Sequence, residues 1–224
     1  MAKFKRLEVY QKAGEQGMVP VLYHPDAETL KEVLKSCYKG GIRSFEFTNR
    51  GDFAHEVFSE LNKWTISELP DMILGVGSVI DAGTASLYMQ LGANFVVSPI
   101  LSEEMAKVCN RRKVAWMPGC GSLSEISKAE ELGAEIVKVF PGSSVGGPSF
   151  VKAILGPSPW SNIMPTGGVE PSDENLGAWF SSGVYCVGMG SKLITREIIK
   201  NKDFDLLAEK CQHTLQLIKE IRGV

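Results

Sequence analysis

Lys138 lies inside an apolar, β-branched run, Ile136, Val137, Lys138, Val139 and Phe140, closed by Pro141 and Gly142. A buried ammonium is costly without a partner, so packing alone rarely places one in such a run. Desolvation lowers a lysine pKa, and a neutral amine attacks a ketone to form a Schiff base. Taken alone, the segment also fits a lysine snorkelling from a strand end. A second set lies upstream, where Glu46 sits in the run Ser44 to Thr48 and Arg50 follows in phase. A carboxyl there can shuttle protons during carbinolamine and enamine formation, and a guanidinium can grip a carboxylate through two parallel hydrogen bonds. Four residues apart, the two also fit an ordinary surface ion pair.

Glycine supplies the third set. Gly167 and Gly168 stand in MPTGGV, and Gly188, Met189, Gly190 and Ser191 close a later run. Two glycine clusters let backbone N–H groups approach a phosphate closely, although each also serves as plain turn chemistry. Gly190, Ser191 and Lys192 do not form a Walker motif, because the order and the upstream spacing are absent. Ser78, after LGVG, can add a hydroxyl to carboxylate binding, and Pro99 closes VVSP. His24 and Cys120 also close runs, and for both the structural reading is preferred to a catalytic one.

Short β-branched runs alternate with amphipathic stretches from Val19 onward, the pattern of a parallel sheet with helical crossovers. The expected strands are Val19 to Tyr23, Ser44 to Thr48, Ile73 to Ser78, Phe95 to Pro99, Val114 to Pro118, Ile136 to Phe140, Asn162 to Thr166 and Tyr185 to Gly188. Asp26, Asp52, Asp81, Ser102, Ser122 and Ser172 precede helical stretches as capping residues. Eight such units predict an α/β chain folded as a (β/α)8 TIM barrel, one domain over residues 1–224. The stretch before Val19, with Leu7, Val9 and Tyr10, is expected to form an N-terminal helix plugging the barrel bottom. Asp203 to Ile221 reads as an amphipathic helix against the barrel or a neighbour. Because side chains alternate along a strand, Lys138 shares a face with Ile136 and Phe140, while Glu46 shares one with Ser44 and Thr48. Both point into the barrel, where they can meet.

The totals exclude several classes. With 224 residues, 44% hydrophobic, 22% charged and a net charge of −2, the chain reads as an ordinary globular protein, with neither a basic stripe for nucleic acid nor an apolar run long enough for a bilayer. The start lacks a signal-peptide core, and a cytoplasmic location is expected. Five scattered cysteines and three histidines show no metal-ligand spacing, so reduced thiols and metal-free chemistry without a cofactor are expected.

The motifs VPVLY, GGIRSFEFTNR, LGVGSVID, GANFVVSP, PGCGSLSEI, GAEIVKVFPGS, MPTGGV and VGMGSKL, running from about Val19 to Leu193, together resemble the KDPG/KHG aldolase family. KDPG is 2-keto-3-deoxy-6-phosphogluconate and KHG is 4-hydroxy-2-oxoglutarate. The resemblance implies a class I aldolase, usually a homotrimer, that cleaves a 2-keto-4-hydroxy acid to pyruvate and an aldehyde. By position it implies Lys138 as the Schiff-base lysine, Glu46 as the proton shuttle, and Arg50 with Ser78 as the carboxylate binders. Pro99 and Phe140 would line the pyruvate pocket, and Gly167, Gly168 and Ser191 would hold the phosphate of a phosphorylated keto-acid substrate. The chain departs from the family's commoner residues at Ser78 (often Thr), Asn49 (Leu), Gly51 (Thr), Tyr23 and His24 (aliphatic), and Cys120 with Gly121. These departures bear on the aldehyde half, where KDPG, KHG or a phosphogalactonate-type acid are the candidates. Two rivals stay open: an isomerase or synthase barrel using Glu46 as base and Lys138 as an electrostatic clamp, and a non-catalytic binder of sugar-acid phosphates.

Overall fold

Every strand pair is parallel, and each strand but β5, which runs on into β6, is followed by a helix that returns the chain to the same edge. The computed structural model describes residues 2–223. Its strands are β1 (Met18–Leu22), β2 (Ser44–Thr48), β3 (Ile73–Gly77), β4 (Phe95–Val97), β5 (Ala115–Met117), β6 (Gly119–Cys120), β7 (Val137–Val139), β8 (Ile163–Pro165) and β9 (Val187–Met189). One sheet runs β5-β4-β3-β2-β1-β9 and a second runs β6-β7-β8. β5 and β6 are two segments of one barrel position, separated by Pro118, which has no N–H to give the ladder. A bridge between Thr166 and Gly188 joins β8 to β9, and the sheets close into the expected (β/α)8 barrel. The expected strand Val114 to Pro118 appears as β5, β6 is a further short strand beyond it, and several others end a residue or two earlier than the sequence suggests.

The helices are α1 (Arg6–Gln16), α2 (Ala27–Lys39), α3 (Ala54–Glu68), α4 (Ala82–Gln90), α5 (Glu103–Arg112), α6 (Leu123–Glu131), α7 (Gly147–Leu155), α8 (Asp173–Ser181), α9 (Arg196–Asn201) and α10 (Phe204–Arg222). Side chains of Asp26, Asp81, Ser102, Ser122 and Ser172 accept the expected capping hydrogen bonds, each contributing about 1 kcal/mol. Asp52 does not cap α3. Its N-cap is Phe53, in the left-handed region at φ 58°, without a side-chain bond, because the turn after Gly51 carries the chain one residue further.

Val137 and Val139 join the apolar layer between barrel and helices, with Phe45, Phe47, Leu74 and Val76. Ile136, Met164, Phe95, Val97, Ala115 and Met117 fill the barrel itself, and Val9, Tyr10 and Ala13 of α1 close it from below. The Tyr10 hydroxyl donates to the Trp116 carbonyl and accepts from its N–H, which pins the plug. Leu7, expected with this set, is 73% exposed. α10 packs on α2 and α8, and Arg222 donates to the Gly14 carbonyl.

Candidate active site

Lys138 in the middle of β7 is flanked in register by Gly119 and Met164 and is 5% exposed, so it does not snorkel. Glu46, in the middle of β2, is 1% exposed and is therefore no surface ion-pair partner. The two approach across the interior, with Nζ 3.9 Å from Oε1. That separation is too long for a direct hydrogen bond and short enough for strong mutual influence. Burial pushes the Glu46 carboxyl above the usual carboxylate range, while Lys138 and Arg50 pull it back. Burial likewise lowers the Lys138 ammonium, which Glu46 opposes and Arg50 reinforces. A buried amine that gives up its proton readily, beside a carboxyl that holds one readily, is a pair suited to nucleophilic attack and proton transfer.

Room for this pair comes from interior glycines. A Cβ on Gly77 would overlap the Glu46 carboxylate, and one on Gly119 would overlap the Pro99 carbonyl. Above the pair lies a cleft of about 690 Å³ lined by Thr48, Arg50, Phe140, Gly167, Gly168 and Ser191, among others. Lys138 sits 5.1 Å from the centroid of the Phe140 ring, beneath this cleft. The Arg50 Nε donates to the Ser78 Oγ at 3.2 Å, with Ser78 in the left-handed region at φ 59°. Gly167 and Gly168 take φ of +93° and +79°, conformations that favour glycine, and their backbone forms one wall.

Arg50, Phe140, Gly167, Gly168 and Ser191 therefore surround one space, with Lys138 and Glu46 below it and Ser78 fixed to Arg50. Pro99 is half-buried against Gly119 and does not line the cleft. His24 lines the rim, where its Nδ1 accepts from the Asp26 N–H. Cys120 faces the helix layer, its thiol pushed up to about 12 by burial. Sequence reasoning missed two features of the cleft. Arg196 and Lys200 of α9 also line it. Thr48 and Thr166 present buried hydroxyls that have no hydrogen-bond partner. For Thr48 the signal was its shared face with Glu46, and for Thr166 its place at the end of an expected strand; for Arg196 and Lys200 there was none. Among the described residues no group of three or more His, Cys, Asp or Glu is placed to hold a metal ion, and no helix is long and apolar enough to cross a membrane.

Residues 9–210 match the KDPG and KHG aldolase family model. The chain is 33% identical over 200 residues to 2-dehydro-3-deoxy-phosphogluconate aldolase of Pseudoalteromonas atlantica, covering 89% of this chain and 90% of that one. It is 28% identical over 199 residues to the KHG/KDPG aldolase of Escherichia coli K12, covering 89% and 91%. Among solved structures, KDPG aldolase from Legionella pneumophila, with pyruvate captured as a covalent carbinolamine, superposes with a TM-score of 0.83. That match has 28% identity and covers 92% of this chain and 97% of that one.

Proposed function

The chain belongs to the KDPG and KHG aldolase family, and from that premise we propose that it cleaves KDPG to pyruvate and glyceraldehyde 3-phosphate as a class I aldolase, with KHG as a second substrate. The observation that carries this reading is the 3.9 Å approach of a buried lysine to a buried glutamate beneath an open cleft.

Neutral Lys138 attacks the C2 ketone, and the carbinolamine loses water as Glu46 supplies a proton. The C1 carboxylate lies on Arg50, which Ser78 steadies. Glu46, acting through a water, then takes up the proton of the C4 hydroxyl, the C3–C4 bond breaks, and its electron pair flows toward the iminium nitrogen to leave an enamine and a free aldehyde. Protonation of C3 and hydrolysis release pyruvate and restore the amine. The buried chamber strengthens these charge interactions relative to bulk water. The glycine wall with Ser191 receives the phosphate, and Arg196 and Lys200 favour a phosphorylated acid over an uncharged one.

Borohydride in the presence of pyruvate should leave a reduced adduct on Lys138, located by peptide mass spectrometry. Lys138→Ala and Lys138→Arg should give no adduct and lose roughly 10³- to 10⁶-fold in turnover, since neither can form the imine. A wild-type chain that yields no adduct, or a Lys138→Ala variant with full activity, would overturn the reading. Pyruvate release across KDPG, its C4 epimer and KHG ranks the substrates.

The oligomer in this proposal is a homotrimer. Phe53, Ile80 and Ile100 are 66%, 60% and 46% exposed on the three successive loops after β2, β3 and β4, and apolar side chains left bare in this way suit a protein contact. Light scattering should give three times the chain mass, and Phe53→Asp with Ile80→Asp should lower it. The five cysteines are buried free thiols, which suits a reducing, cytoplasmic location.

A further inference from the structure

Among the described residues, four side-chain oxygens on the inward face of the barrel are buried without a hydrogen-bond partner: Ser44 Oγ, Glu46 Oε2, Thr48 Oγ1 and Thr166 Oγ1. Ser44 begins β2, away from the cleft, whereas Thr48 and Thr166 line it. Buried polar atoms are nearly always paired, so orphans gathered around a cavity mark places built for a water or a ligand. Thr48 carries the strongest signal. It is 2% exposed, ends β2, and shares its strand face with Glu46 two residues below and Arg50 two residues above. Thr48 and Arg50 line the cleft, and Glu46 lies further down the same strand face, outside that lining. Valine has nearly the same shape and would fill that space without desolvating a hydroxyl, so packing does not explain a threonine here. The neighbour in register on β3 is Gly77, which has no side chain to offer a bond.

Resting on the aldolase reading above, in which Glu46 works through a water, we propose that the Thr48 hydroxyl is what positions that water against Glu46 Oε2. During cleavage the substrate's C4 hydroxyl gives its proton to this water, which gives one of its own to Glu46. The C3–C4 electron pair moves toward the iminium nitrogen. On the return, protonated Glu46 gives a proton to the water and the water gives one to C3 of the enamine. Thr48 neither gains nor loses a proton. It is a positioning residue, and it fixes where the relay water sits.

The test follows exchange of the pyruvate methyl hydrogens for deuterium in heavy water by NMR, with the full chain and no aldehyde present. Thr48→Val should slow both exchange and KDPG cleavage about ten-fold or more, with KM little changed, while pyruvate still gives its borohydride adduct on Lys138. Thr48→Ser, which keeps the hydroxyl, should recover most of the lost rate; if Thr48→Val does not fold, Thr48→Ala takes its place in the comparison. Exchange at the wild-type rate in the variant lacking the hydroxyl would overturn the proposal, as would a serine variant equally slow, which would make the role one of packing. Absence of any adduct in the wild-type chain would overturn the aldolase reading instead.

Discussion

An amine and a carboxyl buried 3.9 Å apart shift each other only partly, and the sign of the remaining shifts gives a pH dependence. Desolvation dominates at Lys138 and lowers it from the ordinary 10.5, so the neutral nucleophile forms at lower pH than it would on a surface lysine. The initial rate of borohydride trapping with pyruvate should therefore rise with pH and level off with a midpoint below 10.5. Glu46→Gln removes the group that raises the lysine, so the midpoint should move lower still, while turnover falls by roughly 10²- to 10⁴-fold for want of a proton shuttle. A midpoint at the ordinary lysine value would contradict the burial on which the site depends. At this scale the sequence was informative because alternation along a strand is a local rule: Ile136, Lys138 and Phe140 had to share a face, as did Ser44, Glu46 and Thr48. It was silent about the missing partner of the Thr166 hydroxyl, because whether a hydroxyl finds a partner depends on strands distant in sequence.

Among the elements, β3 shapes the site without contributing a functional side chain. Leu74 and Val76 face the helices, leaving Gly75 and Gly77 inward. A Cβ on the first would overlap the Phe95 ring, and on the second the Glu46 carboxylate. Glycine inside a strand is unfavourable unless another group approaches closely, and here two do. Gly77→Ala should displace the carboxylate and lower turnover about ten-fold or more, with the fold intact by circular dichroism. Gly177, in the middle of α8, has no neighbouring group within 4 Å of where an alanine methyl would stand. There alanine should leave turnover unchanged and stabilise the protein by about 0.5–1 kcal/mol in thermal unfolding. Element boundaries were legible where a short polar side chain could satisfy a helix N–H, as at Asp81 and Ser102. They were illegible at α3, where Phe53 takes the cap position in a left-handed turn that no local pattern announces, and beyond Pro118, where pairing resumes in the short β6 although the expected strand ended at the proline.

For the whole molecule, the chamber that makes catalysis possible works against stability. Glu46 has its folded-state value raised, so the native state binds a proton more readily than the unfolded chain. Its contribution is favourable below the unfolded value of 4.5 and is lost as pH rises through the folded one. Lys138 has its value lowered, so the native state is disfavoured wherever the amine must stay charged, and that penalty is relieved as pH rises toward the unfolded value of 10.5. Near neutral pH both penalties act at once, and the mutual attraction offsets them only in part because the pair is not in hydrogen-bond contact. Replacing one partner would leave the other buried and uncompensated. Replacing both, in the double variant Glu46→Gln with Lys138→Met, should abolish activity yet raise stability at pH 7 by about 1–4 kcal/mol, read as a higher midpoint of thermal unfolding. The gain should shrink as pH falls toward and below 4.5, where wild-type Glu46 is already neutral. A double variant less stable than the wild type across this range would mean that the pair holds the barrel together, and that its burial serves the fold before it serves the reaction.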